Sequence, residues 1–189
     1  MILDRLKETT AEQHARLERR VDLGARLRGP EAYTDLLGQF YGFYRPLEEA
    51  LAAVSGYESV GLAFVERGKT AYLASDLEAL GRSTANVPLA AAPQVRSLGA
   101  ALGRMYVLEG ATLGGRVVCR MVRESLGFTP DRGCRFFNSY GARVGPMWTA
   151  FRAALVQFAT TPEAETEVVV AAGDTFDRFD CWLATGAAT

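Results

Sequence analysis

The stretch Tyr106-Val-Leu-Glu-Gly-Ala-Thr-Leu-Gly-Gly115 decides how the rest of the chain is read. It lies within a run of helix formers from about Pro93 to Leu126, yet it carries Gly110, Gly114 and Gly115, with Gly99 and Gly103 just upstream. A glycine in a helix interior costs about 0.5–1 kcal/mol relative to alanine. Three within six residues is therefore a substantial local penalty. Gly99, Gly103, Gly110 and Gly114 recur at i, i+4, i+11 and i+15, which predicts one helical face without side chains. Such a face admits close packing of another helix, a kink, or the approach of something large to the backbone.

Helical periodicity extends over most of the sequence. Leu3, Leu6, Thr10, His14, Leu17 and Val21 predict an amphipathic helix over 2–21. Tyr33, Leu36, Leu37, Phe40, Tyr44, Leu47 and Leu51 predict a second over 31–55, with a kink or break expected at Pro46. A third helical region is expected from about Ser59 to Leu80, then a connector through Ser83–Pro93. After the glycine-rich helix, Gly127–Gly133 reads as a loop, Arg135–Gly145 as a short aromatic segment, and Pro146–Phe158 as helix. Thr161 followed by Pro162, Glu163 and Glu165 marks the start of the last helix, which is expected to bury Val168, Val169, Ala172, Phe176, Phe179 and Trp182. No segment alternates like a strand. The expectation is an all-α protein forming a single domain over residues 1–189, with six to eight helices.

Composition narrows the class. The chain has 189 residues, 49% hydrophobic and 23% charged, with a net charge of −1. Those values fit a globular domain and give no electrostatic case for nucleic acid or an anionic membrane. The three cysteines, Cys119, Cys134 and Cys181, are widely spaced and form no CxxC pair, so reduced thiols in a cytosolic protein are expected. The N-terminus lacks a signal-peptide layout, and no apolar run approaches the roughly 20 residues needed to span a bilayer. A cytoplasmic location is expected.

His14 is the only histidine. On an apolar stripe it reads either as a core residue or as a ligand. Glu18, at i+4, can reach the ring and fix the tautomer of a metal-ligating imidazole. Lys7 lies two turns earlier, about 10.5 Å along the axis, within reach of the peripheral carboxylates of a macrocycle held at His14. No second histidine or cysteine lies in register with His14. A metal held by one protein ligand must bring its other ligands, as haem does. In the alternative, Glu18 pairs with nearby arginines or with solvent, and Lys7 is an ordinary surface residue.

Leu6-Lys7-Glu8 followed by Thr9-Thr-Ala-Glu-Gln-His14-Ala-Arg-Leu-Glu18 resembles the proximal helix of the haem oxygenases. Tyr106–Gly115 is similar to their glycine-rich distal helix. Phe136-Phe137-Asn-Ser-Tyr140-Gly141, with Trp148 and Phe151, resembles the aromatic segment of bacterial members, in particular those encoded beside bacteriophytochromes. The resemblance implies an all-helical fold with haem b sandwiched between the first and the glycine-rich helices. It implies His14 as the iron ligand, Glu18 as the group hydrogen-bonded behind it, and Gly110, Gly114 and Gly115 as the distal wall. The implied reaction opens haem to biliverdin, carbon monoxide and ferrous iron, with O2 and with electrons from ferredoxin and ferredoxin reductase. A bacteriophytochrome is the implied recipient of biliverdin.

Lys7, Tyr106, Arg143 and Arg152 are the candidate partners of the haem propionates, with Ser139 or Tyr140 as further candidates. Some family members carry an aspartate just after the first distal glycine, where it anchors proton-delivering waters. Here that position is Ala111, which leaves Thr112, Arg116, Glu109 or a residue of another helix for the task. Ala111 also motivates an alternative reading, a haem-binding storage, transfer or sensor protein of the same fold without productive turnover. A third reading is a helical interaction protein that binds no haem.

Overall fold

The computed structural model describes residues 1–185. Among them the regular structure is entirely helical: α1 (Ile2–Thr9), α2 (Ala11–Val21), α3 (Leu23–Arg26), α4 (Pro30–Ala52), α5 (Thr70–Ala79), α6 (Leu98–Gly110), α7 (Gly115–Leu126), α8 (Arg135–Asn138), α9 (Val144–Phe158) and α10 (Pro162–Thr185). Four short 3₁₀ turns join them, at Tyr57–Val60, Phe64–Arg67, Ala111–Gly114 and Gly141–Arg143.

The first predicted helix is broken at Thr10, whose hydroxyl donates to the Leu6 carbonyl at 2.7 Å and whose backbone leaves helical geometry. Pro46 does not end α4. That helix runs through it to Ala52 and buries all seven residues of its predicted stripe. The expected third helix is mostly 3₁₀ turns, becoming α-helical only at Thr70. Ser97 caps α6 by accepting the Ala100 N–H at 3.2 Å, and the Thr161 hydroxyl accepts the Ala164 N–H at 3.3 Å at the start of α10. Gly127 closes α7 with a left-handed φ of 72°.

The long α10 is the floor on which the other elements rest. α6 packs along it, and α2, α1 and α4 lie against it. A Cβ on Gly103 would come within 2.2 Å of the Val168 carbonyl oxygen, and one on Gly99 within 2.1 Å of the Glu167 carboxylate. Gly103 lets α6 meet the backbone of α10, and Gly99 leaves room for the Glu167 and Phe158 side chains, so the side-chain-free face predicted over Gly99–Gly114 serves packing along its first half.

α2 is fastened to the same floor. Gln13 Nε2 donates to Asp177 at 2.9 Å, Arg16 pairs with Asp177 and Asp180, and Arg20 Nε reaches Asp180 at 3.0 Å. Phe43 stacks on Phe179 with 4.2 Å between ring centroids, joining α4 to α10. The connector over residues 83–97 crosses α4 at Gly42, whose carbonyl accepts the Ala90 N–H at 2.9 Å. A Cβ there would lie 2.3 Å from the Pro88 carbonyl oxygen. Leu6, Leu36, Leu77, Leu102, Phe151 and Val168 belong to one contiguous apolar core.

Candidate functional site

Two features stand out on the elements packed around α10. The first is His14. Its ring stands edge-on to Phe176 of α10, with 5.8 Å between centroids. Its side chain is nonetheless 56% exposed. The predicted apolar stripe of α2 therefore includes a histidine that the core does not enclose. Nδ1 lies 3.8 Å from the Glu18 carboxylate, which is itself exposed. That is an ion-pair distance rather than a hydrogen bond.

The second feature is the bend at the end of α6. The helix tightens to 3₁₀ over Ala111–Gly114 before α7 resumes. Gly110 has helical dihedrals of −59° and −39°, so nothing in its backbone demands a glycine. A Cβ on Gly110 or on Gly114 would meet no atom within 4 Å. The side chains on the adjoining turns, Leu113 and Val117, are exposed to 48% and 61%. Bare backbone flanked by uncovered aliphatic side chains is what a flat apolar ligand requires of a wall. The sequence reading did not single out Leu113 and Val117. Their spacing of three and seven residues from Gly110 was the available signal.

Gly115 is placed differently. It is buried, and a Cβ there would come within 2.0 Å of the Phe137 carbonyl oxygen. It lets α8 close against the base of the bend, so its contact is with protein rather than with the exposed side.

Glu109, directly before the bend, turns inward. Its carboxylate takes Arg67 Nη1 at 2.6 Å, Lys69 Nζ at 2.7 Å and the Tyr140 hydroxyl at 2.7 Å. Lys69 Nζ also lies 3.0 Å from the Tyr140 oxygen and donates to the Arg67 carbonyl at 2.9 Å. The Arg67, Lys69 and Glu109 side chains are 4%, 2% and 2% exposed. Glu48 caps the same segment, accepting the Lys69 and Thr70 backbone N–H groups at 2.7 and 3.0 Å. Burial, with Glu109 beside it, pushes the Tyr140 hydroxyl well above the ordinary tyrosine range. This network clamps the end of α6, and sequence reasoning missed its partners. The clue was a carboxylate in a strongly apolar helix, which obliges a buried cation elsewhere.

The remaining candidates divide by location. Lys7 is exposed on the last turn of α1, and Arg143 and Arg152 are exposed at the start of α9 and within it. Among the described residues none of the three makes a side-chain ion pair. The half-buried Tyr106 ring packs near Trp148 at 6.0 Å between centroids, and its hydroxyl lies beside that of Thr10 at the α1–α2 junction. Burial raises the pKa of that hydroxyl. Ser139 and Tyr140 face inward: the Ser139 hydroxyl is buried without a partner on a strained backbone of φ 46°, and Tyr140 belongs to the Glu109 network. Thr112 donates to the Glu109 carbonyl at 2.7 Å, while Ala111 and Arg116 are exposed. Of the aromatic residues, Phe136, Phe176 and Phe179 are core, and the half-buried Trp182 donates to the Gln39 carbonyl at 2.7 Å.

A family model described as "Heme oxygenase" matches residues 1–185. The chain belongs to the haem oxygenase family. It is 31% identical over 147 residues, 77% of its own length and 82% of the relative's, to the "Heme oxygenase" of Xanthomonas campestris pv. campestris (strain 8004). Its fold is similar to the crystal structure of the NO- and CO-bound haem oxygenase from Neisseria meningitidis, with a TM-score of 0.82 at 20% identity over 99% of this chain and 92% of that one. The haem oxygenase from Leptospira interrogans gives a TM-score of 0.78 at 17% identity, covering 97% and 98%. The protein is thus an all-α enzyme with haem oxygenase activity, and haem is its substrate. Among the described residues no helix is long and apolar enough to cross a membrane.

Proposed function

We propose that this haem oxygenase, a single domain over residues 1–189, opens haem b to biliverdin, carbon monoxide and ferrous iron between His14 and the Gly110–Gly114 bend. One observation carries the reading. Two helical glycines with no conformational need for glycine present uncovered backbone, and the one histidine of the chain stands exposed on a helix packed on the same floor.

The donor set fits a haem. Among the described residues no cluster of three or more His, Cys, Asp or Glu side chains could hold a bare metal ion. A single exposed imidazole suits an iron that arrives with its ring nitrogens. When bound, haem supplies the oxygen-activating chemistry, and the chain supplies placement, shielding and protons.

With Glu18 on the Nδ1 side, His14 keeps Nε2 for the iron. At 3.8 Å the Glu18 carboxylate is close enough to orient the ring from behind once it draws in. Gly110 and Gly114 keep the opposite wall low, while Leu113 and Val117 extend it as an apolar rim that limits water. Lys7, Tyr106, Arg143 and Arg152 are assigned to the two propionates, the arginines by virtue of their forked donors. Because Glu109 and Thr112 are committed to internal partners, we take protons to enter from solvent at the exposed bend beside Arg116, in place of the aspartate some relatives carry where Ala111 stands.

Ferredoxin with ferredoxin reductase is the proposed electron source, a bacteriophytochrome the proposed recipient of biliverdin, and the cytoplasm the proposed location. The test is turnover. Haemin is added to the purified chain, then ferredoxin, its reductase and NADPH. The Soret band should decline as biliverdin absorption rises. Bleaching without biliverdin refutes the proposal.

A further inference from the structure

The loop between α7 and α8 brings together two thiols that sequence spacing kept apart. Cys119 lies in the middle of α7, and Cys134 immediately precedes α8. The Cys134 thiol donates to Cys119 Sγ at 3.1 Å, and Cys119 Sγ lies 3.6 Å from the Cys134 carbonyl oxygen. A disulfide needs about 2.0 Å between sulfurs, so bond formation closes the pair by about 1 Å. Both are free thiols, Cys134 fully buried and Cys119 half-exposed. The third cysteine, Cys181, is exposed on α10 and has no part in the pair.

The two thiols are not equivalent. Cys119, reachable from solvent, accepts the hydrogen bond from Cys134, and that bond lowers its pKa. Cys134 is pushed up as the donor and by burial. A partly exposed cysteine in sulfur contact with a buried second thiol is the arrangement of an attacking and a resolving cysteine. The segment holding Cys134 is fixed on several sides. Tyr33 donates to the Gly133 carbonyl at 2.8 Å, and Asp76 accepts the Arg135 and Phe136 N–H groups at 2.8 Å each. The sulfurs are therefore held in contact rather than meeting by loop motion.

We propose that Cys119 and Cys134 form a reversible dithiol–disulfide site that is oxidised by hydrogen peroxide and bolts α7 to α8 beneath the glycine bend. The Cys119 thiolate attacks one peroxide oxygen, the O–O bond breaks, and hydroxide leaves a sulfenic acid on Cys119. The Cys134 sulfur then attacks that sulfur, and its proton and the sulfenic hydroxyl leave as water. In balance, two thiols and one hydrogen peroxide give one disulfide and two waters; sulfur loses two electrons and the peroxide oxygens gain them. A dithiol reductant reverses the reaction. The consequence reaches the site because the Phe137 carbonyl of α8 abuts Gly115, the first residue of α7. Oxidation adds one covalent tie between the same two segments.

The test uses the full-length chain before haemin is added. Titration with hydrogen peroxide should lower the accessible-plus-buried thiol count, measured after denaturation, from three to one per chain, with a mass loss of two hydrogens. Non-reducing peptide mapping should join the peptides containing Cys119 and Cys134, and dithiothreitol should restore all three thiols. Cys181→Ser should leave this bridge intact, whereas Cys119→Ser and, separately, Cys134→Ser should abolish it. Hydrogen exchange over residues 110–139 should slow in the oxidised chain. Oxygen adducts on Cys119 without bridging, Cys181-linked dimers as the main product, or exchange unchanged by oxidation would overturn the proposal. None of these readouts depends on haem turnover.

Discussion

Gly110→Ala isolates what the bend is for. The residue already has helical dihedrals, and the added methyl would meet no atom within 4 Å. In the haem-free chain the substitution acts only through helix propensity, a gain of about 0.5–1 kcal/mol. For a chain of this size that raises the unfolding midpoint by roughly 1–4 °C. Haem should suffer in proportion as the alanine improves the helix. A methyl inserted into a close contact costs about 1–3 kcal/mol, which is roughly 5- to 150-fold in haemin affinity. Gly103→Ala, about two turns earlier in the same helix, should behave oppositely. Its Cβ would sit 2.2 Å from the Val168 carbonyl oxygen and 2.8 Å from the Ala171 Cβ, neither of which can swing aside. It should destabilise by about 1–3 kcal/mol in spite of the propensity gain. Thermal melts of both haem-free variants and a Soret titration of Gly110→Ala measure the three quantities. A Gly110→Ala chain that melts lower than wild type, or binds haemin as tightly, refutes the assignment of this face to the ligand.

The other site residues make separable predictions. His14→Ala removes a half-exposed side chain, so haem-free stability should stay within about 0.5 kcal/mol; the histidine-ligated Soret spectrum should disappear and return on adding imidazole, and an unaltered spectrum would exclude His14 as ligand. Glu109→Gln strips the charge partner from two buried cations and should cost about 3–5 kcal/mol in urea unfolding. Lys69→Met in the same chain should recover part of that loss, since the residues are coupled; additive losses would show that they are not. Burial raises the Asp76 carboxyl, partly offset by the Phe136 and Arg135 N–H groups. The folded chain thus binds that proton more readily than the unfolded one, a contribution fully present below about pH 4 and lost as pH rises through the raised value. The stability difference between wild type and Asp76→Asn should accordingly fall over that interval, and a pH-independent difference would contradict it.

His14 and the distant glycine segment stood out as candidates because both depart from local rules: a lone histidine on a helix stripe and glycines inside a helix. The resemblance to haem oxygenases drew on the same two departures. The sequence was silent on which glycine does what. Gly99, Gly103 and Gly115 are filled by neighbouring protein, whereas Gly110 and Gly114 are not, although Gly99, Gly103, Gly110 and Gly114 share one face of a helical wheel. The neighbours that make the difference, Glu167, Val168 and Phe137, lie between 22 and 68 positions away in the chain.

By itself the sequence determined the all-α class and most of the helical segments, and it singled out one imidazole and one glycine bend as candidates, since helical periodicity and chain-breaking residues act over a few positions. Tertiary structure alone decided the clamp of Arg67, Lys69 and Tyr140 on Glu109, the exposure of Leu113 and Val117, and the contact between Cys119 and Cys134. Each of these depends on how separate segments pack, and no local pattern encodes a distance between residues brought together only by that packing.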